Sequence, residues 1–166
     1  MSGWEEGTES MISRILFVCH GNICRSPMAE FIMKELLRKR GLEDAFEIAS
    51  AATSSEELGN GVYPPVRRLL EARGIDCSGK YARRLVPEDY GRWDLFVGMD
   101  QANLRNMKRL FDGDPAGKVR LLHEFGGIPG EVADPWYTGE FRRTEEEICA
   151  GCAALLARLL DERRKI

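Results

Sequence analysis

Residues 15–19 read ILFVC and residues 20–27 continue HGNICRSP, so an unbroken apolar run leads directly into a short polar loop. A continuous apolar run, rather than an alternating one, is typical of a strand covered on both faces in a parallel sheet. Ser26 and Pro27 suit the N-cap and the first position of a helix. Apolar residues then recur at helical spacing, at Met28, Phe31, Ile32 and Leu36. This stretch therefore predicts a strand, a loop and a helix, in that order.

The loop has the composition expected of an anion site. A helix start leaves about four backbone N–H groups without internal partners and carries about half a positive charge. Gly21 and Asn22 tolerate positive φ, so the loop can curl with its N–H groups pointing inward. The Arg25 guanidinium can hold two phosphate oxygens at once. The predicted phosphate-binding residues are His20, Gly21, Asn22, Ile23, Cys24, Arg25 and Ser26.

The same positive surroundings act on Cys19, at the start of the loop. They favour thiolate over thiol, so we expect its pKa to lie below the usual value of about 8.5 and Cys19 to be a nucleophile at neutral pH. The Ser26 hydroxyl can donate to this thiolate, because the chain has Ala29 where a capping box would need Glu or Gln. The alternative is a buried structural Cys19 and a solvated Arg25. The combined order and spacing of the motif favour the chemical interpretation.

The segment 17–30, FVCHGNICRSPMAE, resembles the signature of the low-molecular-weight protein tyrosine phosphatases. Several unrelated phosphatase folds share a bare Cys-x5-Arg, whereas the interior Gly-Asn-x-Cys and the trailing Ser-Pro are similar to this family in particular. His20 departs from the pattern, since family members often carry a small or aliphatic residue there. The resemblance implies a protein-tyrosine phosphatase that hydrolyses phosphotyrosine and aryl phosphate monoesters through a cysteinyl-phosphate intermediate, without a metal or other cofactor.

A phosphatase of this kind needs an acid to protonate the departing oxygen. Asp134 is the best candidate, because Pro135 disfavours helix at Asp134 and holds it in an extended loop. An Asp-Pro pair by itself is a common turn signal. The resemblance supplies the catalytic role, since the family has an Asp-Pro in a late loop that acts as general acid and then as general base. The implied catalytic residues are Cys19, Arg25 and Asp134.

Two further segments are predicted to border the substrate cleft. Trp136 and Tyr137 follow the Asp-Pro pair, and aromatic rings beside an anion pocket can clamp a flat substrate ring. The alternative is that they anchor the loop by packing. Residues 49–55 resemble the family's second loop, after which many members carry an aromatic residue where this chain has Glu56 and Glu57. We therefore expect a more open or more acidic rim on this side of the cleft.

The cysteine count is odd, which argues against a disulfide framework and favours free thiols. The five are Cys19, Cys24, Cys77, Cys149 and Cys152. Cys24 shares the loop with Cys19, so it could capture an oxidised Cys19 as a reversible disulfide, a role that the resemblance also implies. His20 and His123 do not stand at ligand spacing from the cysteines, so no metal site is expected.

Length and charge restrict the class of protein. A chain of 166 residues suits one domain, and its net charge of −3 argues against a nucleic-acid partner. No apolar stretch approaches the length of about 20 residues needed to span a bilayer, and no signal-peptide pattern is evident, so we expect a cytoplasmic protein with no membrane partner. Residues 1–13 are polar and acidic and are expected to form a loosely ordered extension. Residues 14–166 would form the phosphatase domain, with a phosphotyrosine-containing protein as substrate.

Strand and helix patterns alternate along the chain. Strands are predicted near 46–49, 94–98 and 119–121, and helices from Pro64 to near Gly74, after Asp100 and over 140–165. Such alternation predicts a doubly wound parallel sheet with ligands bound beyond the carboxyl ends of the strands. The resemblance implies a single α/β domain of the flavodoxin-like type, with a four-stranded parallel sheet and helices on both faces.

Three alternative functions remain open. Arsenate reductases on this scaffold need a relay of cysteines, whereas Cys77 has no cysteine near it in sequence. Phosphoarginine phosphatases of the same family tend to carry threonine where this chain has Ile23. A non-catalytic phosphoprotein-binding module would need neither Cys19 nor Asp134, and both are present.

Overall fold

The structure is a computed structural model that describes residues 12–165, so residues 1–11 of the predicted extension lie outside the described residues. One sheet has the strand order β2-β1-β3-β4 and every described pairing in it is parallel. The strands are β1 (Arg14–Cys19), β2 (Glu47–Ala52), β3 (Leu95–Gly98) and β4 (Val119–Leu121). The helices are α1 (Arg25–Lys39), α2 (Pro64–Ala72), α3 (Asp89–Arg92), α4 (Gln101–Leu110), α5 (Pro135–Thr138) and α6 (Phe141–Arg163). This architecture confirms the predicted doubly wound α/β sheet.

β1 is buried on both faces, which explains its unbroken apolar sequence. Ile15 and Phe17 belong to a core shared with α1 and α6, whereas Leu16 and Val18 belong to a second core that includes Phe111. Each of these four β1 side chains has no exposed surface. Successive residues of a strand point to opposite faces, so a strand between two helical layers has no polar side.

The start of α1 differs from the prediction. The N-cap is Cys24 and the first helical residue is Arg25, whereas Ser26 and Pro27 were expected at these two positions. The N–H of Met28 donates to the Cys24 carbonyl at 3.1 Å and closes the first turn. Pro27 is the third residue of α1 and remains acceptable there, because first-turn N–H groups have no partner within the helix.

α6 is the longest described helix and covers one face of the sheet. Its buried side includes Ile148, Cys152, Leu155 and Leu159, which join the core formed with α1 and β1. Among residues 12–165, no helix is both long enough and apolar enough to cross a membrane.

The end of β1 lies where the strand order reverses. Cys19 is in register with Ala52 at the end of β2, and Val18 is in register with Gly98 at the end of β3. The chain crosses to β2 on one side of β1 and later to β3 on the other side. The two connections leave a crevice at this point, which is where doubly wound folds bind ligands.

The start of β1 is held by one carboxylate. Asp94 Oδ2 accepts the backbone N–H groups of Ser13 and Arg14, both at 3.0 Å, and Oδ1 accepts Nη2 of Arg14 at 3.0 Å. Burial alone would raise the pKa of Asp94, but these hydrogen bonds and the Arg14 charge outweigh burial and lower it below its usual 3.8. The ionised form of Asp94 therefore stabilises the folded protein.

We expect Asp94→Asn to lower the free energy of unfolding at pH 7 by about 1 kcal/mol, because an amide nitrogen replaces one charged acceptor. The extra stability of wild type over Asp94→Asn is present above the pKa that Asp94 has in the unfolded chain. It is lost as the pH falls through the lower pKa that Asp94 has in the folded protein. Urea unfolding at several pH values measures this, and the gap between the two proteins should close below pH 3.8. A gap that widened on acidification would contradict the assignment.

Candidate active site

The loop between β1 and α1 curls through an asparagine. Asn22 has φ +60° and is 1% exposed. Gly21, which also tolerates positive φ, does not adopt it. Gly21 instead provides space: a Cβ there would lie 3.2 Å from Cγ of Glu57. The short Asn side chain tolerates the left-handed conformation because it finds local partners.

The Asn22 side chain is the centre of a buried hydrogen-bond network. Its Nδ2 donates to Oγ of Ser26 at 2.8 Å and to Oγ of Ser50 at 2.9 Å, and its Oδ1 accepts the Arg83 N–H at 3.2 Å. Ser50 Oγ in turn donates to Glu30 Oε1 at 2.6 Å. A satisfied buried network of this kind restricts the loop to one shape. Glu30 ends the signature segment and Ser50 lies in the segment 49–55, but sequence reasoning gave neither of them a role in holding the loop.

The Cys19 thiol lies at the end of β1 and is 3% exposed. Its sulfur is 3.0 Å from Oγ of Ser26, and the Ser26 N–H donates to it at 3.4 Å. Both contacts come from the first turn of α1, whose N-terminus carries partial positive charge. Hydrogen-bonding groups of Ser26 and a helix N-terminus therefore surround the Cys19 sulfur. The Ser26 hydroxyl is thus used by the sulfur, as predicted, and not by a helix cap.

The backbone of the loop is rich in available donors. Within the described part of the chain, the N–H groups of residues 20–24 donate no hydrogen bond to another residue. Backbone N–H groups are otherwise nearly always paired when they are buried. A ring of such donors at a helix N-terminus suits a tetrahedral oxyanion.

Arg25 is 2% exposed, so it is not the solvated charge of the alternative interpretation. Its Nη1 donates to Oδ2 of Asp100 at 2.7 Å and to the Val132 carbonyl at 2.9 Å. Its Nε is buried and has no hydrogen-bond partner among the described residues. Burial alone would lower the pKa of Arg25, but the charges of Cys19 and Asp100 outweigh it and raise the pKa. One end of the guanidinium is therefore anchored, and Nε can bind an anion.

Asp100 is a site residue that the sequence analysis assigned only to a helix cap. Its Oδ1 accepts the N–H of Asn103 at 2.9 Å and caps α4 as predicted. Its Oδ2 holds Arg25 at the same time. The side chains of Asp100 and Arg25 meet only because the ends of β1 and β3 are neighbours in the sheet. No local sequence pattern could therefore reveal that Asp100 holds Arg25.

Asp134 enters the same cleft from a distant part of the chain. Its backbone is extended, with φ −77° and ψ 114°, as expected for a residue before proline. Its Oδ1 accepts the Trp136 N–H at 3.0 Å, and its Oδ2 is 3.6 Å from Nη2 of Arg25. The carboxylate is 24% exposed, so it can meet a substrate.

A cleft that is open to solvent brings most of the predicted site residues together. Its lining comprises Cys19, His20, Gly21, Ile23, Cys24, Arg25, Glu56, Glu57, Asp134, Trp136 and Tyr137. Asn22 and Ser26 are not part of this lining and are 1% and 0% exposed. The side chains of these two residues support the loop from behind. The expectation that the backbone of residues 20–26 binds phosphate concerns N–H groups and stays a prediction.

The rim has one aromatic segment and one acidic segment. Trp136 packs on Tyr63 with ring centroids 4.8 Å apart and still exposes 52% of its surface, so it both anchors its loop and borders the cleft. Tyr137 is 82% exposed. Glu56 Oε2 lies 2.8 Å from Nε2 of His20, so these two rim residues form a pair when His20 is protonated.

Cys24 lines the cleft beside Cys19 and is 5% exposed. Burial raises the pKa of Cys24 to about 12, and the neighbouring charge of Cys19 adds to the effect. Cys24 is therefore a protonated thiol at neutral pH, in contrast to the nucleophilic character expected of Cys19.

Comparison with known proteins identifies relatives of this site and fold. A family model described as "Low molecular weight phosphotyrosine protein phosphatase" matches residues 14–165. The low molecular weight protein-tyrosine-phosphatase YfkJ of Bacillus subtilis is 34% identical over 156 residues, which cover 93% of this chain and 99% of the relative. The low molecular weight phosphotyrosine protein phosphatase of Schizosaccharomyces pombe is 39% identical over 129 residues, covering 76% of this chain and 82% of the relative.

Solved structures agree with these matches. The crystal structure of YfkJ from Bacillus subtilis superposes with a TM-score of 0.87 at 32% identity and covers 92% of this chain and 97% of that chain. The crystal structure of the Drosophila arginine phosphatase DARP superposes with a TM-score of 0.79 at 30% identity, covering 87% of this chain and 96% of that chain.

Proposed function

Because the chain belongs to the low-molecular-weight phosphotyrosine protein phosphatase family, we propose that it hydrolyses phosphotyrosine and aryl phosphate monoesters with Cys19 as nucleophile. One observation carries the proposal. The buried Cys19 sulfur accepts the Ser26 N–H and is hydrogen-bonded to the Ser26 hydroxyl, in the same cleft that contains the Arg25 guanidinium and the Asp134 carboxylate. Nucleophile, anion binder and acid are the three parts that phosphoryl transfer to a thiol requires.

In the first step, the Cys19 thiolate attacks phosphorus, and an S–P bond forms as the bond from phosphorus to the aryl oxygen breaks. The loop N–H groups and Nε of Arg25 bind the three non-bridging oxygens, on which charge is spread in the transition state. Asp134, in its protonated form, gives its proton to the departing oxygen, which leaves as a neutral phenol.

In the second step, water attacks the phosphorus of the cysteinyl phosphate. Asp134, now a carboxylate, accepts a proton from this water, and the S–P bond breaks to release inorganic phosphate. The hydrogen bonds from the Ser26 hydroxyl and N–H stabilise the departing Cys19 thiolate. The site has then returned to its starting state, with Cys19 as thiolate and Asp134 protonated by the proton it took from water.

Hydrolysis of p-nitrophenyl phosphate tests the proposal directly. We expect steady turnover that orthovanadate inhibits competitively, with a pre-steady-state burst of p-nitrophenol wherever the second step limits the rate. A phosphotyrosine peptide should also be hydrolysed, and the same peptide with phosphoserine should not. Vanadate or phosphate binding without turnover would instead identify a phosphoprotein-binding module.

Asp134→Asn should lower kcat for a poorly activated phenyl phosphate by about 10²–10³-fold, because general acid catalysis contributes on that order. KM should change little, and p-nitrophenyl phosphate, whose leaving group needs less protonation, should be less affected. Steady-state kinetics with both esters measures the difference. Equal losses for the two esters would place the acid elsewhere. Glu131→Gln, at an exposed carboxylate before the same loop, is the matched control.

Phosphoarginine is the substrate to compare with phosphotyrosine, since the structurally similar DARP is called an arginine phosphatase. In this chain Ile23 lines the cleft and is 8% exposed. A branched apolar side chain there has no hydroxyl to bind a guanidinium or an attacking water. We therefore propose that phosphotyrosine is preferred, which a direct comparison of kcat/KM for the two phosphoamino acids will test.

We also propose a redox role for Cys24. Its protonated thiol lies in the same cleft as Cys19, and it can form a disulfide with Cys19 once a peroxide has converted that thiolate to a sulfenic acid. The S–S bond forms as the sulfenic oxygen leaves as water, with the Cys24 proton, and thiols reverse the reaction.

A phosphotyrosine-containing protein is the proposed partner, and the cytoplasm is the proposed location. All five cysteines are free thiols in the structure. A nucleophilic thiol must stay reduced to react, so a reducing compartment suits this enzyme.

A further inference from the structure

Two carboxylates stand at the mouth of a cleft whose floor is built to bind an anion. Glu56 and Glu57 line it together with the buried Arg25. Among the described lining residues, the only other cationic candidate is His20. A negative rim opposes the approach of a phosphate group, since like charges repel. Such a rim is useful only where the substrate itself brings a positive charge to it.

The two carboxylates are not equivalent. Glu56 Oε2 is hydrogen-bonded to Nε2 of His20 at 2.8 Å. Glu57 Oε1 accepts Nδ2 of Asn60, a neutral donor, at 3.0 Å, and no Lys, Arg or His forms an ion pair with Glu57 in the described part of the chain. Glu57 therefore presents a carboxylate that no cationic side chain of residues 12–165 pairs with.

Glu57 is also held in place. Its Cγ lies so close to the backbone of Gly21 that a Cβ there would be only 3.2 Å away. The hydrogen bond from Asn60 fixes the end of the side chain. The Glu57 side chain is therefore restrained at its Cγ and at its carboxylate, beside the phosphate loop. A partner that binds this carboxylate loses little free energy to the ordering of the Glu57 side chain.

From these contacts we infer that Glu57 selects phosphotyrosine sites that have Lys or Arg beside the phosphotyrosine. This rests on the proposed function, because the phosphotyrosine must enter the cleft first. With the phosphate on the loop, a flanking ammonium or guanidinium group can pair with Glu57, whereas a flanking carboxylate is repelled by Glu57.

Matched phosphopeptides test this inference. The two peptides of each pair differ at one position, which is Lys in one and Glu in the other. In one pair this position is just before the phosphotyrosine, and in the other pair it is just after; kcat/KM is compared at low salt. We expect wild type to prefer the lysine peptide about fivefold in at least one pair, and Glu57→Gln, which keeps the Asn60 contact, to reduce that preference below about twofold. Glu146→Gln removes the same charge from an exposed position on α6 and should leave the preference unchanged.

Salt provides a readout that needs no variant. In 0.5 M NaCl the Debye length falls to about 4 Å, so the ratio of kcat/KM for the lysine peptide to that for the glutamate peptide should fall towards one in wild type. A preference that is absent in wild type, unchanged in Glu57→Gln or insensitive to salt would overturn the inference. Hydrolysis of p-nitrophenyl phosphate, which has no flanking residues, tests the proposed function separately. If wild type hydrolyses this ester but shows no preference between the peptides, the role of Glu57 is rejected and the proposed function is not.

Discussion

Cys19→Ser is expected to lower kcat for p-nitrophenyl phosphate by at least about 10⁴-fold, since removal of a catalytic nucleophile has effects of this order or more. A serine hydroxyl is a far weaker acid than a thiol, so the donors that stabilise the Cys19 thiolate cannot ionise serine at neutral pH. The hydrogen bonds from Ser26 remain possible to an oxygen, so the loop should keep its shape. Steady-state assays of purified protein measure the loss.

The control for this variant is a cysteine outside the cleft. Cys149 is half-buried on α6, and Cys149→Ser should retain wild-type kcat. Thermal unfolding of Cys19→Ser should remain cooperative, which separates a chemical defect from a folding defect. If Cys19→Ser kept more than about a tenth of wild-type kcat, another group would be the nucleophile.

Arg25→Lys is expected to reduce kcat/KM by about 10³-fold, because removal of a single preorganised donor to a transition-state oxyanion costs about 10²–10³-fold and the guanidinium supplies more than one. Arg25 donates to Asp100 and to the Val132 carbonyl while its Nε stays available. An ammonium group is a single point and cannot hold both anchors and a phosphate in the planar geometry of the guanidinium.

Two measurements accompany the Arg25 variant. The inhibition constant of orthovanadate should rise along with the loss of kcat/KM, because the same donors bind the analogue. Arg109→Lys, at an exposed position on α4, should change neither value. Wild-type inhibition by vanadate in Arg25→Lys would mean that the loop N–H groups alone hold the phosphoryl oxygens.

Most of the fold follows from local patterns. The apolar run before Cys19 indicated a strand buried on both faces, and Asp100 was expected to cap α4, as it does. The predicted start of α1 was wrong because a cap assignment considers only neighbours in sequence. The Ser26 hydroxyl instead bonds to Cys19 across the loop, and Cys24 takes the cap position.

The positions of the supporting residues were not predictable. Ser50, which is itself hydrogen-bonded to Glu30, holds Asn22 from behind, and Asp100 holds Arg25. Each of these contacts joins elements that are distant in the chain, and Glu or Asp on a helix or after a strand normally indicates a solvated surface. The burial of these supporting residues and their hydrogen-bond partners depend on which strands are neighbours in the sheet.

The sequence by itself determined the chemistry of the loop. A cysteine, an arginine and a run of small polar residues between a strand and a helix place nucleophile and anion donors within a few residues of each other, where chain connectivity alone keeps them close. The tertiary structure alone decided how Arg25 is anchored by Asp100, how close Asp134 lies to Arg25, and that Glu57 lies over Gly21 with no ion-pair partner among the described residues. These contacts depend on the strand order β2-β1-β3-β4 and on packing between distant segments, which no local spacing encodes.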